Sequence, residues 1–228
     1  MILAIIPARG GSRRLPRKNI LPFGGKPLLA WSVETALAVP AVGACIVSTE
    51  DAEIAVVARQ AGAIVVDRPS ELASDQASTV DVLIHAAKAM LEVGHQFEGI
   101  LLLQPTNPLR PVSMVCRAIE RFLTEPCDSL IGVSRRPLKL GRVEDGCFVP
   151  TYAFGTQSRL MAPVFYENGV IYLTKTATLM EQHSLTGERV LAFEIERPFD
   201  EVNIDETVDL VIGEAVLAAV RSQLGPER

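Results

Sequence analysis

Short apolar runs alternate along the chain with longer segments in which apolar residues recur every three or four positions. The runs are rich in Val, Ile, Leu and Ala, which is typical of buried strands. They cover residues 2–6, 44–48, 63–66, 100–103, 129–133 and 170–173. Because helical segments separate them, the pattern predicts an α/β fold with a Rossmann-like, doubly wound and mostly parallel sheet.

Proline, glycine and serine mark the ends of the predicted helices. Pro27 suits the first turn of a helix, Gly62 is a natural terminator, and Ser78 begins a capping-box pattern. The last helix has apolar residues on a helical period from Val208 to Val220. The predicted helices are residues 27–37, residues 51–61, a helix that begins at Ser78, and residues 206–221.

Residues 134–164 depart from the alternation of strands and helices. Prolines and glycines interrupt short apolar pieces there, which predicts an insertion of short strands and loops. Such an excursion commonly forms a lid or an interface with a second subunit. We expect it to be part of a single domain that covers residues 1–228.

Length and apolar content agree with a domain of that size. The chain has 228 residues, 48% of them hydrophobic, which is enough to fill the core of one α/β domain. It contains no apolar run of the roughly 20 residues that a membrane span needs. The run at residues 2–6 is too short for a signal peptide and is followed rather than preceded by charge, so we expect a cytoplasmic protein.

Charge is distributed unevenly along the chain. Acidic residues outnumber basic ones by 27 to 22, yet none precedes Glu34. Most of the early basic residues lie in a glycine-containing loop after the first predicted strand. Cations and backbone N–H groups in such a loop predict a polyphosphate site rather than a broad nucleic-acid surface, and a solvated basic loop is the alternative. The early basic residues are Arg9, Arg13, Arg14, Arg17, Lys18 and Lys26.

Several common sites lack their sequence patterns. The loop matches neither Gly-x-Gly-x-x-Gly nor the P-loop pattern, and the chain has no Gly-x-Ser-x-Gly. The four cysteines form no Cys-x-x-Cys pair, and the three histidines are not spaced as transition-metal ligands. These features argue against a dinucleotide fingerprint, a zinc site and a serine hydrolase.

Five separated segments resemble the signatures of the CMP-sialic acid synthetases, the acylneuraminate cytidylyltransferases. They occur in the order of that family and extend over nearly the whole chain. The segments are Pro-Ala-Arg-Gly-Gly-Ser-Arg-Arg-Leu-Pro-Arg-Lys-Asn at residues 7–19, residues 68–79, Leu-Gln-Pro-Thr-Asn-Pro-Leu-Arg at residues 103–110, Glu-Asn-Gly-Val-Ile-Tyr at residues 167–172, and Asn-Ile-Asp at residues 203–205.

The resemblance implies a fold of the nucleotide-diphospho-sugar transferase type and transfer of CMP from CTP to the anomeric hydroxyl of a nonulosonic acid, with release of pyrophosphate. The acceptor would be sialic, legionaminic or pseudaminic acid, activated for cell-surface polysaccharide synthesis. The resemblance also implies Mg²⁺ as cofactor and a homodimer in which residues 134–164 reach toward the partner's site. Neither nucleic acid nor a membrane is an expected partner.

Matching the family's motifs residue by residue implies several sets of site residues. The nucleotide-binding set is Pro7, Ala8, Arg9, Ser12, Lys18, Asn19, Arg68, Ala77 and Thr79. The acceptor-binding set is Gln104, Lys139 and Tyr172. The implied metal ligands are Asp205 and Asn203, and the implied catalytic residues are Arg9, Lys18 and Asp205.

Two positions depart from the family's pattern. Asn203 occupies the position of the first of two aspartates, which removes a negative charge from the metal site. Ser158 occupies a position where an arginine is expected, and the neighbouring Arg159 is the candidate substitute. These departures leave the efficiency of the reaction open.

Several of these residues also have purely structural interpretations. Arg68 could form a surface salt bridge, Asp75 could cap a helix, and Arg110 could cap its turn or meet a carboxylate. Gln104 could stabilise its loop among prolines, and Tyr172 could belong to the core. The sequence leaves these alternatives open.

Two other functions also remain open. A sugar-1-phosphate nucleotidylyltransferase shares a strand followed by a basic glycine loop, but its acceptor is a phosphate. A catalytically idle nucleotide-binding protein would bind CTP without turnover, and the departures at Asn203 and Ser158 motivate it. Within the first loop, Arg13, Arg14 and Arg17 are expected only to raise the local positive potential.

Overall fold

A central sheet between two layers of helices organises the chain. The structure is a computed structural model and describes residues 1–224. The strands are β1 (Ile2–Pro7), β2 (Pro22–Phe23), β3 (Lys26–Pro27), β4 (Val42–Thr49), β5 (Ile64–Asp67), β6 (Gly99–Leu102), β7 (Ser129–Arg136), β8 (Gly141–Glu144), β9 (Cys147–Pro150), β10 (Val164–Lys175) and β11 (Val190–Glu194). The α-helices are α1 (Leu28–Ala38), α2 (Ala52–Gln60), α3 (Thr79–Glu92), α4 (Val112–Thr124), α5 (Thr176–Gln182) and α6 (Thr207–Val220).

Within residues 1–224, the central sheet has seven strands in the order β11-β7-β10-β6-β1-β4-β5. β1 pairs in parallel with β4 and β6, β4 with β5, and β11 with β7. β10 is antiparallel to both neighbours, β6 and β7. The sheet is therefore mostly parallel, as predicted. The carboxyl ends of β1, β4, β5, β6 and β7 share one edge, where ligands bind in open α/β folds.

Alternate residues of β1 face different helix layers, as the two-residue repeat of a strand requires. Ile2, Ala4 and Ile6 pack in a core cluster with residues of α1, α2, α4 and α6. Leu3 and Ile5 pack in a second cluster with residues of α3 and α5. Helices therefore cover both faces of the sheet, which confirms the doubly wound prediction.

The predicted helices are present, with small differences at their ends. Pro27 precedes α1 as its N-cap rather than lying in its first turn, because it pairs in the short strand β3. The side chain of Ser78 accepts a hydrogen bond from the N–H of Val80 at 3.1 Å and begins α3 as predicted. α4, α5 and β11 lie outside the predicted elements.

The apolar period of α6 is buried on one side only. Leu217 and Val220 lie in the core, whereas Val208 and Val211 are exposed. The period therefore predicted the helix correctly but not which of its apolar residues are buried. Within residues 1–224, no helix combines the length and the apolar character that crossing a membrane requires.

Residues 134–164 contain the end of β7, the β8–β9 hairpin, a short 3-10 turn at Ser158–Leu160 and the start of β10. Apolar side chains of this excursion face solvent, including Phe154 at 76% and Leu160 at 71% exposure. Short strands and loops replace a βα unit here, as the sequence pattern predicts.

Asp51 ties the start of α2 to the loop that follows β1. Its carboxylate accepts from the N–H groups of Glu53 and Ile54, both at 3.0 Å, and pairs with Arg17. The hydrogen bond from Arg17 is the main cause that holds the pKa of Asp51 below its ordinary value, while burial acts in the opposite direction.

We expect Asp51→Ala to lower the free energy of unfolding by about 1 to 2 kcal/mol at pH 7, because it removes the helix cap and the ion pair. Asp51→Asn keeps a capping oxygen and should lose less. Since folding lowers the carboxyl pKa, this stabilisation is fully present above the unfolded pKa of about 3.9 and is lost as the pH falls through the folded value. Urea unfolding at several pH values measures it, and equal stability of both variants and the wild type at pH 7 would contradict the prediction.

Candidate active site

A cleft of about 530 Å³ opens at the carboxyl edge of the sheet. Its walls come from the loops after β1, β5 and β6 and from the segment before α6. Ala8 is fully buried next to it, and its N–H donates to the carbonyl of Ser48 at 3.0 Å. The sequence-predicted residues that line the cleft are Pro7, Arg9, Ser12, Lys18, Asn19, Arg68, Ala77, Thr79, Gln104 and Asp205.

The loop after β1 is held in place by its own polar groups. Asn19 is buried, and its amide donates to the carbonyl oxygen of Arg9 at 2.9 Å. The N–H of Gly10 donates to Glu50 at 2.7 Å. Gly10 approaches α2 so closely that a Cβ there would collide with the carboxylate of Asp51. A side chain at position 10 would therefore displace the carboxylate that caps α2.

The cleft is cationic, with five guanidinium or ammonium groups against two carboxylates. Arg9 pairs with Asp75 at 2.7 Å, and Arg13 pairs with the second oxygen of the same carboxylate. The helix-cap interpretation of Asp75 is wrong, because Ser78 caps α3. The net positive charge suits a polyphosphate, whose oxygens can take the place of the Asp75 carboxylate at the arginines.

Asp205 is the second carboxylate of the cleft. Nζ of Lys18 is 2.7 Å from its Oδ1, and Arg14 is 3.0 Å from its Oδ2. The amide of Asn203 also donates to Oδ2, at 3.2 Å. Burial alone would raise the pKa of Asp205, but the hydrogen bond and charge of Lys18, together with Arg14, hold it below its ordinary value. The carboxylate is therefore ionised at neutral pH.

Arg17 differs from the other cations of the first loop because it contacts α2 instead of the cleft. It has a left-handed backbone with φ of 58°, and its guanidinium donates to Glu53 at 2.6 Å as well as to Asp51. Arg13 and Arg14 were expected, like Arg17, only to raise the local positive potential, but their side chains line the cleft. The three arginines therefore do not act alike.

Arg68 lines the cleft and is buried. Its Nε donates to Oγ of Ser48 at 3.2 Å, and a terminal nitrogen donates to the carbonyl oxygen of the same residue. Burial lowers the pKa of Arg68, while the charge of Glu50 opposes that shift. The alternative of a surface salt bridge is wrong, since β4 holds this guanidinium inside the protein.

Arg110 braces the turn that contains Gln104. It is 1% exposed, and it donates to the carbonyls of Gln104 at 2.7 Å and Val170 at 2.6 Å and to Oγ of Ser32 at 3.0 Å. Burial lowers the pKa of Arg110 to about 9. Of the two alternatives, Arg110 therefore caps the turn, and it also joins β10 to α1.

Residues 3–185 match the family of cytidylyltransferases. The chain belongs to the cytidylyltransferase family. The N-acylneuraminate cytidylyltransferase of Escherichia coli is 30% identical over 214 residues, which are 91% of this chain and 50% of that protein. The CMP-N,N'-diacetyllegionaminic acid synthase of Legionella pneumophila is 30% identical over 222 residues, which are 95% of this chain and 96% of that protein. The chain thus spans about half of the first relative and nearly all of the second.

A solved structure shares the fold of this chain. CMP:2-keto-3-deoxy-manno-octonic acid synthetase, solved in complex with CTP, superimposes with a TM-score of 0.69 at 19% identity, over 96% of this chain and 98% of that one. At this identity the likeness concerns the fold alone. The family and fold that the sequence motifs indicated are thereby confirmed.

Three residues predicted for the acceptor or the metal lie outside the lining of this cytidylyltransferase cleft. Tyr172 packs against the core cluster of α3 and α5, and its hydroxyl donates to Glu167. Lys139 is exposed on the excursion, with Nζ 5.8 Å from the ring centroid of Tyr152. Asn203 approaches the cleft through its hydrogen bond to Asp205. Their roles stay predictions.

Ser158 and Arg159 line a different cavity, of about 460 Å³, between the excursion and the end of β11. Nε of Arg159 donates to Gln157 at 2.8 Å. Arg159 is therefore not a substitute for the missing arginine within the cleft of its own chain.

The cytidylyltransferase cleft also contains residues that the motif comparison did not assign. Arg13, Arg14 and Asp75 add charged groups, and Leu72 and Pro105 add apolar wall. The sequence feature that could have identified them is their position in the same loops as the assigned residues. The sequence did not indicate which cation pairs with which carboxylate, since the partners lie far apart along the chain.

We expect Lys18→Ala to weaken the binding of tripolyphosphate at least tenfold, because Lys18 is mostly buried in the cleft. Arg17→Gln removes the same charge from the same loop, but its side chain contacts α2, so affinity should change less than threefold. Isothermal titration calorimetry without divalent cations measures both. Equal losses would show that the loop acts only through its overall potential.

Proposed function

We propose that this cytidylyltransferase transfers CMP from CTP to the anomeric hydroxyl of a nonulosonic acid and releases pyrophosphate. The observation that carries the proposal is the convergence of the predicted nucleotide residues, Gln104 and Asp205 in one cationic cleft. The names of the relatives, which specify N-acylneuraminate and diacetyllegionaminic acid, support this acceptor class. A cytoplasmic location stays a prediction.

In this mechanism the chain's own residues position the substrates and neutralise charge. Arg9 and Lys18 exchange their carboxylate partners for phosphate oxygens, and Arg68 contacts the cytosine. The anomeric oxygen attacks the α-phosphorus in line with the bond to the bridging oxygen of the β-phosphate. That bond breaks as the new one forms, its electron pair stays on the bridging oxygen of the leaving pyrophosphate, and the hydroxyl proton passes to water. Positioning and charge neutralisation supply most of the catalysis.

We also propose Mg²⁺ as the cofactor, held by the carboxylate of Asp205 and the side-chain oxygen of Asn203. Residues 1–224 contain no cluster of three or more His, Cys, Asp or Glu side chains that would form a complete metal site. One carboxylate and one amide fit Mg²⁺ when phosphates and water provide the other oxygens. Bound there, Mg²⁺ supplies charge neutralisation at the phosphates and a lower pKa for the acceptor hydroxyl.

The decisive experiment measures pyrophosphate release with CTP, UTP, ATP and GTP against sialic, legionaminic and pseudaminic acids and against sugar 1-phosphates. Release that requires CTP and a nonulosonic acid supports the proposal. Release with a sugar 1-phosphate would favour the alternative nucleotidylyltransferase. CTP binding without turnover at any Mg²⁺ concentration would favour an idle nucleotide-binding protein.

We expect Asn203→Asp to lower the Mg²⁺ concentration that gives half-maximal pyrophosphate release by about threefold to tenfold, because it adds a negative charge beside Asp205. Asp205→Asn removes the carboxylate and should reduce kcat at least 100-fold. Magnesium titrations of both variants measure these effects. Full magnesium-dependent turnover by Asp205→Asn would contradict the assigned role of the carboxylate.

We further propose that the chain forms a homodimer through the excursion at residues 134–164. The supporting observation is its exposed apolar surface, which includes Val143, Phe148, Phe154 and Leu160. Exposed apolar groups of this size on one inserted element are typical of subunit interfaces. The excursion surface also contains charged residues, since Arg142 pairs with Glu144 at 3.1 Å.

We expect the double variant F154D/L160D to be monomeric, because it places two charges in the proposed interface, while the wild type sediments as a dimer. Val211→Asp on α6 is the control, since Val211 is similarly exposed but lies outside the excursion. Analytical ultracentrifugation measures the mass of each. A monomeric wild type, or a dimer that only Val211→Asp disrupts, would contradict the proposed interface.

A further inference from the structure

Arg136 is the last residue of β7 and lies near the start of the excursion at residues 134–164. One nitrogen of its guanidinium donates to Asp200 at 2.8 Å and to Glu201 at 2.6 Å. Arg197 pairs with the same oxygen of Glu201, also at 2.6 Å. This ion-pair cluster joins the end of β7 to the loop that precedes α6.

The pair between Arg136 and Asp200 lies inside the protein. The side chain of Arg136 is 15% exposed and that of Asp200 is 0% exposed. The second carboxylate oxygen of Asp200 has no hydrogen-bond partner among residues 1–224. A buried charge depends strongly on its partner, because an unpaired carboxylate in the interior is very unfavourable. The position of Asp200 is therefore set by Arg136.

The same segment leads to the cleft. Asp205 follows Asp200 by five residues, and the turn at residues 104–107 holds the stretch between them. The side-chain amide of Asn107 donates to the carbonyl oxygen of Val202 at 3.1 Å. The N–H of Ile204 donates to the carbonyl oxygen of Thr106 at 2.7 Å. Arg136 thus fixes one end of a short, tightly bonded segment whose other end presents the Asp205 carboxylate to Lys18.

We propose that Arg136 is a positioning residue for Asp205 and that it couples the excursion to the cleft. Arg136 is the last residue of β7, so a shift of the excursion that moves this strand end also moves Arg136. Asp200 then moves with its ion-pair partner. The ion pair transmits that shift along the segment to Asp205. The effect on turnover rests on the proposed function, whereas the structural coupling does not.

The test compares the double variant R136M/D200L with Arg136→Met and with Arg135→Met. Arg136→Met leaves a buried, unpaired carboxylate and should lower the melting temperature. The double variant replaces both charged groups by apolar ones of similar size, so the melting temperature should recover. Arg135 is the neighbouring, exposed residue and serves as the matched control.

Two readouts separate positioning from a merely structural role. Hydrogen–deuterium exchange of residues 199–206 should be at least tenfold faster in R136M/D200L than in the wild type and unchanged in Arg135→Met. The kcat of CTP-dependent pyrophosphate release should fall at least tenfold, while KM for CTP changes less than threefold because neither substituted residue contacts the first loop. Arg136→Lys keeps a charge beside Asp200 and should restore part of kcat.

A double variant with wild-type exchange at residues 199–206 would overturn the proposal. So would one in which kcat recovers together with the melting temperature. If the double variant does not fold, wild-type exchange and kcat in Arg136→Lys would overturn it, and intermediate values would support it. Absence of turnover by the wild type with every acceptor would reject the proposed function, while the exchange measurement would still decide the role of Arg136.

Discussion

The ion pair between Lys18 and Asp205 is the contact on which the cleft depends. Its two residues are 187 positions apart, and they join the loop after the first strand to the segment before the last helix. The parallel sheet makes this possible, because it brings the carboxyl ends of distant strands to one edge. Further hydrogen bonds hold the segment of each partner. The neighbouring Asn19 fastens the first loop through the carbonyl of Arg9, and the turn at residues 104–107 fastens the segment that leads to Asp205.

Two carboxylates balance part of the positive charge in the cleft. Asp75 holds two arginines of the first loop, and Asp205 holds Lys18 and Arg14. Without these carboxylates, several cations would face each other in a partly buried space, which is unfavourable. A triphosphate has more negative charge and more acceptor oxygens than a single carboxylate, so it competes well for the same cations. The pairing keeps the cations ordered at positions that a polyphosphate can use.

Much of the fold could be predicted because its signals are local. Gly62 stops α2 and Ser78 begins α3 by rules that act within a few residues, and the apolar runs identify the strands. The motif comparison likewise identified most residues of the cleft. What it could not supply was tertiary pairing. Asp75 as a partner of Arg9, and Arg110 as a buried brace, follow only from how distant loops meet. The sequence also could not predict which apolar residues of α6 are exposed, since a helical period of apolar residues does not show which of them pack against the sheet.

Asn203, in place of the aspartate that the family pattern has at this position, changes the electrostatic balance around the carboxylate of Asp205. Lys18 donates to Oδ1, while Arg14 and Asn203 both donate to Oδ2. An aspartate at position 203 would repel Oδ2 and attract a divalent cation, whereas asparagine adds a donor and no charge. With Arg14 on the same oxygen, the local field favours anions more and dications less than a pair of aspartates would. The protein's own cations therefore provide a larger share of the positive charge in this cleft than they would beside two aspartates.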